Sequence, residues 1–332
     1  MPDSQEVKAG SVEYTSFNPN IATVGKYTGI VTPVKGIYGT AIIIAKSDGY
    51  SSIIRVSIKP QDTDDVKSVA KPMVATGASH TIALKYDGTV WTWGNNTNGQ
   101  LGNNSTENSS SPVQVKSADG NRYLTNIIEI SAGSDHNMAL RNDGTVWTWG
   151  SNTYGQLGNG SSVNSMLPVQ VKSADGNSFL ADIVQISAGY VHSMALKKDG
   201  TVLAWGRNDG GQLGNNNTSN KSLPVQVKGG ASGSEYLTDV VQVTAGNWHS
   251  MALKANGTVY AWGWGQYGQL GNGYTTNRND TDYYSSEKIY SAPVQVLNGE
   301  QTSETGYLKE VVQIDAMGGT GRDGKNRFGT SL

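Results

Sequence analysis

Gly133-Ser134-Asp135-His136-Asn137-Met138-Ala139-Leu140 occurs four times along the chain with small changes, the other copies being Gly77 to Leu84, Gly189 to Leu196 and Gly246 to Leu253. Its histidine sets the period. His80, His136, His192 and His249 are all the histidines of the protein, spaced 56, 56 and 57 residues apart. The surroundings repeat in step. Asp87-Gly88-Thr89-Val90-Trp91-Thr92-Trp93-Gly94 has counterparts beginning at Asp143, Asp199 and Asn256. A Gly-Gln-Leu-Gly-Asn block begins at Gly99, Gly155, Gly211 and Gly268, and Pro-Val-Gln-Val closes each copy at Pro112, Pro168, Pro224 and Pro293. A fixed period of this kind means that each copy is one supersecondary unit stacked on its neighbours.

Within a copy the pattern is strand and turn. Thr81 to Tyr86 and Thr89 to Trp93 are short alternating runs flanking Asp87-Gly88, a dipeptide suited to a tight hairpin, and the fourth copy uses Asn256-Gly257, a stronger form of the same signal. Ile127 to Ile130 ahead of the histidine block and Val169 to Val171 at the end bring the count to four strands per copy, A to D in chain order. No helical period is present. Tandem four-stranded antiparallel units predict an all-β chain built as a β-propeller, one blade per copy.

These blocks resemble the repeats of the regulator of chromosome condensation family in its common bacterial form, over roughly residues 69 to 314. The resemblance implies a propeller, usually of seven blades. Here there are four complete repeats and the opening strand of a fifth, Val311-Val312-Gln313-Ile314, after which Asp315 to Leu332 departs from the pattern. The expectation is a fragment of a ring, an open arc whose uncovered blade edges favour self-association. The family's namesake is a nucleotide-exchange factor for the nuclear GTPase Ran that also binds chromatin, so the resemblance also implies an exchange-factor-like reading.

Ahead of the repeats, Asn18 to Val24, Gly29 to Gly36, Gly39 to Ala45 and Ile53 to Ile58 read as short strands bounded by Gly, Pro and Asn, as in a small β-sandwich. They resemble the bacterial Ig-like domain, group 2, with Phe17 where that pattern often has Ser. The expected organisation is an Ig-like module over 1–60 in which the family's opening strands are not recognised, a linker over 61–68 containing the acidic run Gln61 to Asp65, the propeller repeats over 69–314, and a divergent tail over 315–332.

Composition narrows the function classes. The formal charge is 25 − 27 = −2, and no basic stripe is present to neutralise phosphates, which argues against nucleic acid. Cysteine is absent, excluding disulfide scaffolds and thiolate metal sites. The longest apolar run, Ala41 to Ala45, falls far short of the ~20 residues that span a bilayer, so no membrane insertion is expected. Met1 to Glu6 is too polar and acidic to open a secretory signal. Forty-two glycines in 332 residues, nearly twice the ~7% average, point to many turns.

Four histidines at one period raise a metal or acid–base reading. A residue that recurs once per blade, on the same face of strand B as Ile82 and Leu84, is more simply a repeated structural hydrogen-bond donor. The Trp91 position becomes Leu203 and Tyr260 in other copies, so it demands bulk rather than an indole ladder for sugar stacking. The Gly-Gln-Leu-Gly glycines are turn residues, since no Lys-Ser/Thr follows to make a phosphate loop.

Function is sought where a copy breaks the repeat. The fourth copy spans 22 positions from Gly271 to Pro293, against 10 from Gly102 to Pro112, and the insertion carries Tyr274, Asp280, Asp282, Tyr283, Tyr284, Glu287 and Tyr290. Trp248 stands where the others have Ser79, Asp135 and Val191, and Trp264 where they have Asn95, Ser151 and Arg207. In a four-stranded meander the A–B and C–D loops emerge on one face, which gathers Trp248, Trp264, Tyr267 and the insertion into one exposed aromatic and acidic cluster. Such a cluster suits a protein or carbohydrate partner. Asp280 and Asp282 lack the turning glycine and full ligand series of a calcium loop, so no metal or cofactor is expected. The leading expectation is a non-enzymatic interaction or adhesion protein, secreted or on a bacterial cell surface, its export leader lying outside this sequence. The alternatives are the exchange-factor-like regulator of a small GTPase and a propeller-based carbohydrate-active enzyme using Asp280, Asp282 and Glu287.

Overall fold

The computed structural model describes residues 12–16, 19, 22–33, 39–47, 50–58, 70–230, 235–274, 289–299 and 306–316. The chain divides into two compact units, residues 1–71 and 72–332. In the first, β1 (Glu13–Ser16), β4 (Gly39–Ser47) and β5 (Tyr50–Ile58) form an antiparallel sheet in the order β1-β4-β5, while β2 (Ala22–Val24) pairs with β3 (Val31–Pro33). Ala22 and Ile43 are its buried centre, with Tyr14, Val24, Val31 and Val56 packed on them. The expected linker run Gln61 to Asp65 lies outside the described residues.

Among the described residues of the second unit are four four-stranded antiparallel meanders. The first is β6 (Met73–Thr76), β7 (His80–Leu84), β8 (Val90–Gly94) and β9 (Ser109–Gln114), and the second is β10 (Ile127–Ala132), β11 (His136–Arg141), β12 (Val146–Gly150) and β13 (Ser165–Gln170). The third is β14 (Ile183–Ala188), β15 (His192–Lys197), β16 (Val202–Gly206) and β17 (Lys221–Gln226). The fourth is β18 (Val240–Ala245), β19 (His249–Lys254), β20 (Val259–Trp264) and β21 (Ile289–Gln295). All are propeller blades in the A to D order that the repeat predicts, and no closed ring is found among the described residues. The hairpin between B and C is pinned by an aspartate in the first three blades and by Asn256 in the fourth, as where Asp87 Oδ1 accepts from Thr89 N at 3.0 Å.

Strand D starts earlier than its Val-Gln-Val suggests. In the second blade β13 begins at Ser165, opposite Gly150, because the register shifts between Thr148 and Gly150. Pro168 falls inside it, which only an outermost strand tolerates, since proline has no N–H for a further neighbour.

Apolar clusters fill the spaces between blades. Met194, Val202 and Leu213 of the third blade pack with Val243, Ala252 and Trp262 of the fourth. The fourth blade's Met251, Leu253 and Leu270 are in turn covered by Ile314 and Ala316. Trp149, Trp205 and Trp262 are fully buried. At about 25 cal/mol per Å2, an indole's 150–250 Å2 of burial is worth about 4–6 kcal/mol before ordering entropy.

Each indole also makes a polar tie across the joint. Trp149 Nε1 donates to Gln100 O at 3.0 Å, Trp205 Nε1 to Gln156 O at 2.9 Å and Trp262 Nε1 to Gln212 O at 2.9 Å. The same three carbonyls accept a second bond from strand B of the next blade: from Asn137 Nδ2 at 2.8 Å, Ser193 Oγ at 2.9 Å and Ser250 Oγ at 2.9 Å. Those side chains complete a relay to the histidines, as His80 Nε2 meets Asn137 Oδ1 at 2.9 Å, His136 Nε2 meets Ser193 Oγ at 3.0 Å and His192 Nε2 meets Ser250 Oγ at 2.9 Å. Because each serine hydroxyl spends its hydrogen on a carbonyl, it accepts from the imidazole, which assigns the neutral Nε2–H tautomer.

Two invariant glycines serve this joint. A Cβ on Gly133 would lie 2.2 Å from His136 Cε1, so the ring occupies the place of a side chain. Gly158 has φ +65°, and a Cβ there would sit 2.7 Å from Trp205 Nε1.

Burial holds the His136 and His192 pKa values down to about 3 and that of His249 to about 4, all from 6.5, and lowers that of His80. An unfolded chain takes up the protons that these imidazoles refuse, so the stability present above pH 6.5 is lost as pH falls toward 3. Chemical denaturation between pH 7 and 4 is expected to show a loss of about 1.4 kcal/mol per buried histidine for each pH unit below 6.5. A His136→Gln chain is expected to show a shallower dependence.

Candidate functional site

The repeat brings the A–B and C–D loops of each blade together through one backbone bond. Asn95 N donates to Ser79 O, Ser151 N to Asp135 O, Arg207 N to Val191 O and Trp264 N to Trp248 O, at 2.8–3.0 Å. The fourth copy places tryptophan at both ends of this bond. The Trp248 and Trp264 rings accordingly meet edge to face at 5.9 Å, and Tyr267 lies 6.4 Å from Trp264.

The two tryptophans are not the exposed anchors that sequence reasoning expects. They are only 8% and 6% exposed, because each indole covers the other and a cation covers Trp248. That cation is Arg207 of the third blade, whose guanidinium lies 4.1 Å from the Trp248 ring and 4.8 Å from that of Tyr154 in the second blade. Asp209 fixes its angle, accepting from Arg207 Nε at 2.8 Å and from Nη2. Gly210 lies against the pair, where an added Cβ would stand 3.6 Å from Trp264 Cβ and 3.7 Å from the Trp248 ring, ordinary contact distances. Three consecutive blades thus contribute to one surface, with a carboxylate at its edge. The cleft between Asp209, Gly210, Trp248, Trp264 and Ile289 measures about 10 Å3, room for about one water and not for a small-molecule substrate.

Exposure falls on the tyrosines. Tyr267 is 44% and Tyr274 68% exposed, with the Tyr274 ring 6.4 Å from that of the half-buried Tyr290 and tilted 38° to it. Asp280, Asp282, Tyr283, Tyr284 and Glu287 lie outside the described residues. Among the described residues no group of three His, Asp or Glu side chains is arranged to hold a metal.

Sequence reasoning missed Arg207, Asp209 and Tyr154, since it compared the copies column by column and these residues reach the cluster from neighbouring blades. It also missed why the fourth copy can carry an insertion. In the first three, a buried asparagine clamps the C–D loop: Asn96 Oδ1 accepts from Leu101 N at 2.8 Å while its Nδ2 donates to Ser105 O and Glu107 O, both at 2.9 Å. Asn152 and Asn208 repeat these bonds. The fourth copy has Gly265 at that position. The clamp is gone where the loop lengthens, and the change from asparagine to glycine was the available signal.

With most of its ring buried, Trp248→Ala is expected to lower stability in a denaturant titration by about 3 kcal/mol. Tyr267→Ala, on an exposed ring, is expected to cost under about 1 kcal/mol.

A family model described as RCC1-like domain matches residues 47–319. The chain is similar to the ultraviolet-B receptor UVR8 of Arabidopsis thaliana, 35% identical over 207 residues that make up 62% of this chain and 44% of that protein. It is also similar to the E3 ubiquitin-protein ligase HERC2 of Homo sapiens, 34% identical over 226 residues, 67% of this chain and 4% of that one. It therefore spans less than half of either relative. Its fold is similar to that of Prp20p from Saccharomyces cerevisiae, with a TM-score of 0.57 at 21% identity, covering 89% of this chain and 65% of that one.

Proposed function

The chain belongs to the RCC1-like domain family, and on that premise we propose that it is a non-enzymatic protein that docks a partner protein on the face carrying Arg207, Trp248, Trp264 and Tyr267. The observation that carries this reading is the Arg207 guanidinium held between Tyr154 and Trp248. A cation already oriented over two rings, on a face that also carries the exposed Tyr267, loses little further freedom when a partner covers it, which is the character of an interface hot spot. Family precedent supports binding: Prp20p is described with binding properties to Gsp1p and histones. Carbohydrate is the lesser alternative, because the two indoles that would stack on a sugar ring are covered. Presentation at a bacterial cell surface, with the N-terminal β-unit as an Ig-like spacer, completes the proposal and rests on composition and resemblance.

Cross-linking of the intact chain to proteins of its own cell extract, compared with Arg207→Ala and Tyr267→Ala chains, tests the face. Loss of the same cross-linked partner in both variants, each still folded by circular dichroism, is the expected result. A partner retained by both would place binding elsewhere. The likeness to Prp20p favours a second reading, as a regulator of a small GTPase. Acceleration of nucleotide release from such a GTPase would replace the first proposal with this one.

A further inference from the structure

Glutamines on two inner strands bond the stretch that follows on the next copy, β18 in one case and in the other the segment around Ile314, where the expected opening strand of a fifth repeat, Val311 to Ile314, does not form a β-strand. Gln185 on β14 accepts from Val243 N through Oε1 at 2.9 Å and donates to Val243 O through Nε2 at 3.2 Å. Gln242 on β18 does the same to Ile314, at 3.0 and 2.8 Å. One amide thereby satisfies both backbone groups of one residue, which takes one acceptor and one donor. In the same register the joint between β10 and β14 carries Glu129. Ile186 N donates to Glu129 Oε1 at 3.5 Å, so the acceptor half of the bridge is present. A carboxylate has no donor for the other half, whereas a protonated carboxyl matches the glutamine amide group for group.

We propose that Glu129 closes this joint as a neutral carboxylic acid that donates to the Ile186 carbonyl, making the contact between the second and third blades a proton-dependent latch. Its surroundings favour the neutral form. The side chain is half-buried, and that burial pushes its pKa up to about 7, the bond from Ile186 N opposing. Strands β6 and β14, packed on β10, carry no titratable or charged group, β7 carries His80, and β11 carries His136 and Arg141. The two imidazoles stay neutral, and Arg141 is engaged elsewhere, lying over Trp147 at 5.2 Å with its Nε donating to Thr125 O at 3.4 Å. The folded chain keeps this proton to near pH 7, whereas the unfolded chain releases it above 4.5. The latch is therefore closed on the acid side of neutrality and loosens as pH rises through 7.

The test is Glu129→Gln in the intact chain, which installs the side chain already used at the two sister joints, with Gln185→Glu as the reciprocal change. Unfolding equilibria at pH 6 and pH 8 report the whole fold, and hydrogen exchange at the Ile186 amide, corrected for its intrinsic pH dependence, reports the joint. Relative to Glu129→Gln, the wild-type folding constant is expected to fall about tenfold between pH 6 and pH 8, with Ile186 protection falling in step. Gln185→Glu is expected to bring the same behaviour to the Val243 amide. The inference is overturned if wild type and Glu129→Gln share one pH dependence, if Glu129→Gln is the less stable at pH 8, or if Gln185→Glu leaves Val243 insensitive to pH.

Discussion

A glutamine carbonyl that accepts two bonds from the next blade is the interaction on which the second unit depends. Gln100, Gln156 and Gln212 each present an oxygen that takes one hydrogen from an indole and one from an Asn or Ser side chain. Unpaired, such a buried carbonyl costs about 1–3 kcal/mol, so each blade is completed by its neighbour rather than by itself. The repeat pattern follows from this joint. The histidine is kept because it donates into the relay, the glycine three residues before it because the imidazole lies where a Cβ would be, and the last glycine of Gly-Gln-Leu-Gly because the indole approaches there. His249 shows the dependence in reverse: its Nε2 finds no partner among the described residues.

The same regularity supplies the scaffold on which the candidate face is built. The bond that joins the A–B and C–D loops in every blade needs no particular side chains, so those two positions are free to vary. They carry Ser79 and Asn95, then Asp135 and Ser151, then Val191 and Arg207, then Trp248 and Trp264. Successive blades set these pairs side by side, which is how a cation from one copy comes to cover an indole from the next. Loss of the asparagine clamp at Gly265 belongs to the same pattern of change, affecting loop length and leaving the blade's strands intact.

Much of the fold was legible because each functional constraint recurs four times. Strand order, hairpins and the structural role of the histidines all follow from the period. The start of strand D was not, since Pro168 and the register shift before Gly150 mask its pairing. At the candidate site, the proximity of Trp248 and Trp264 follows from loop topology, but the cover over Trp248 comes from Arg207, a residue 41 positions before Trp248 that only blade stacking brings near. Glu129 was overlooked for a related reason: its departure from glutamine means something only when the atom it faces on the next blade is known.

The most direct test of the joint is nitrogen-15 NMR of the imidazole rings in the intact chain. The relay requires His136 and His192 to be neutral and protonated at Nε2 at pH 7, with Nε2–H slow to exchange and the same form persisting at about pH 5. Protonation at Nδ1 in place of Nε2 would contradict the account, because the serine hydroxyl already donates to the glutamine carbonyl behind it and needs a hydrogen from the ring; ordinary proton uptake near pH 6.5 would contradict the burial that holds the imidazoles neutral.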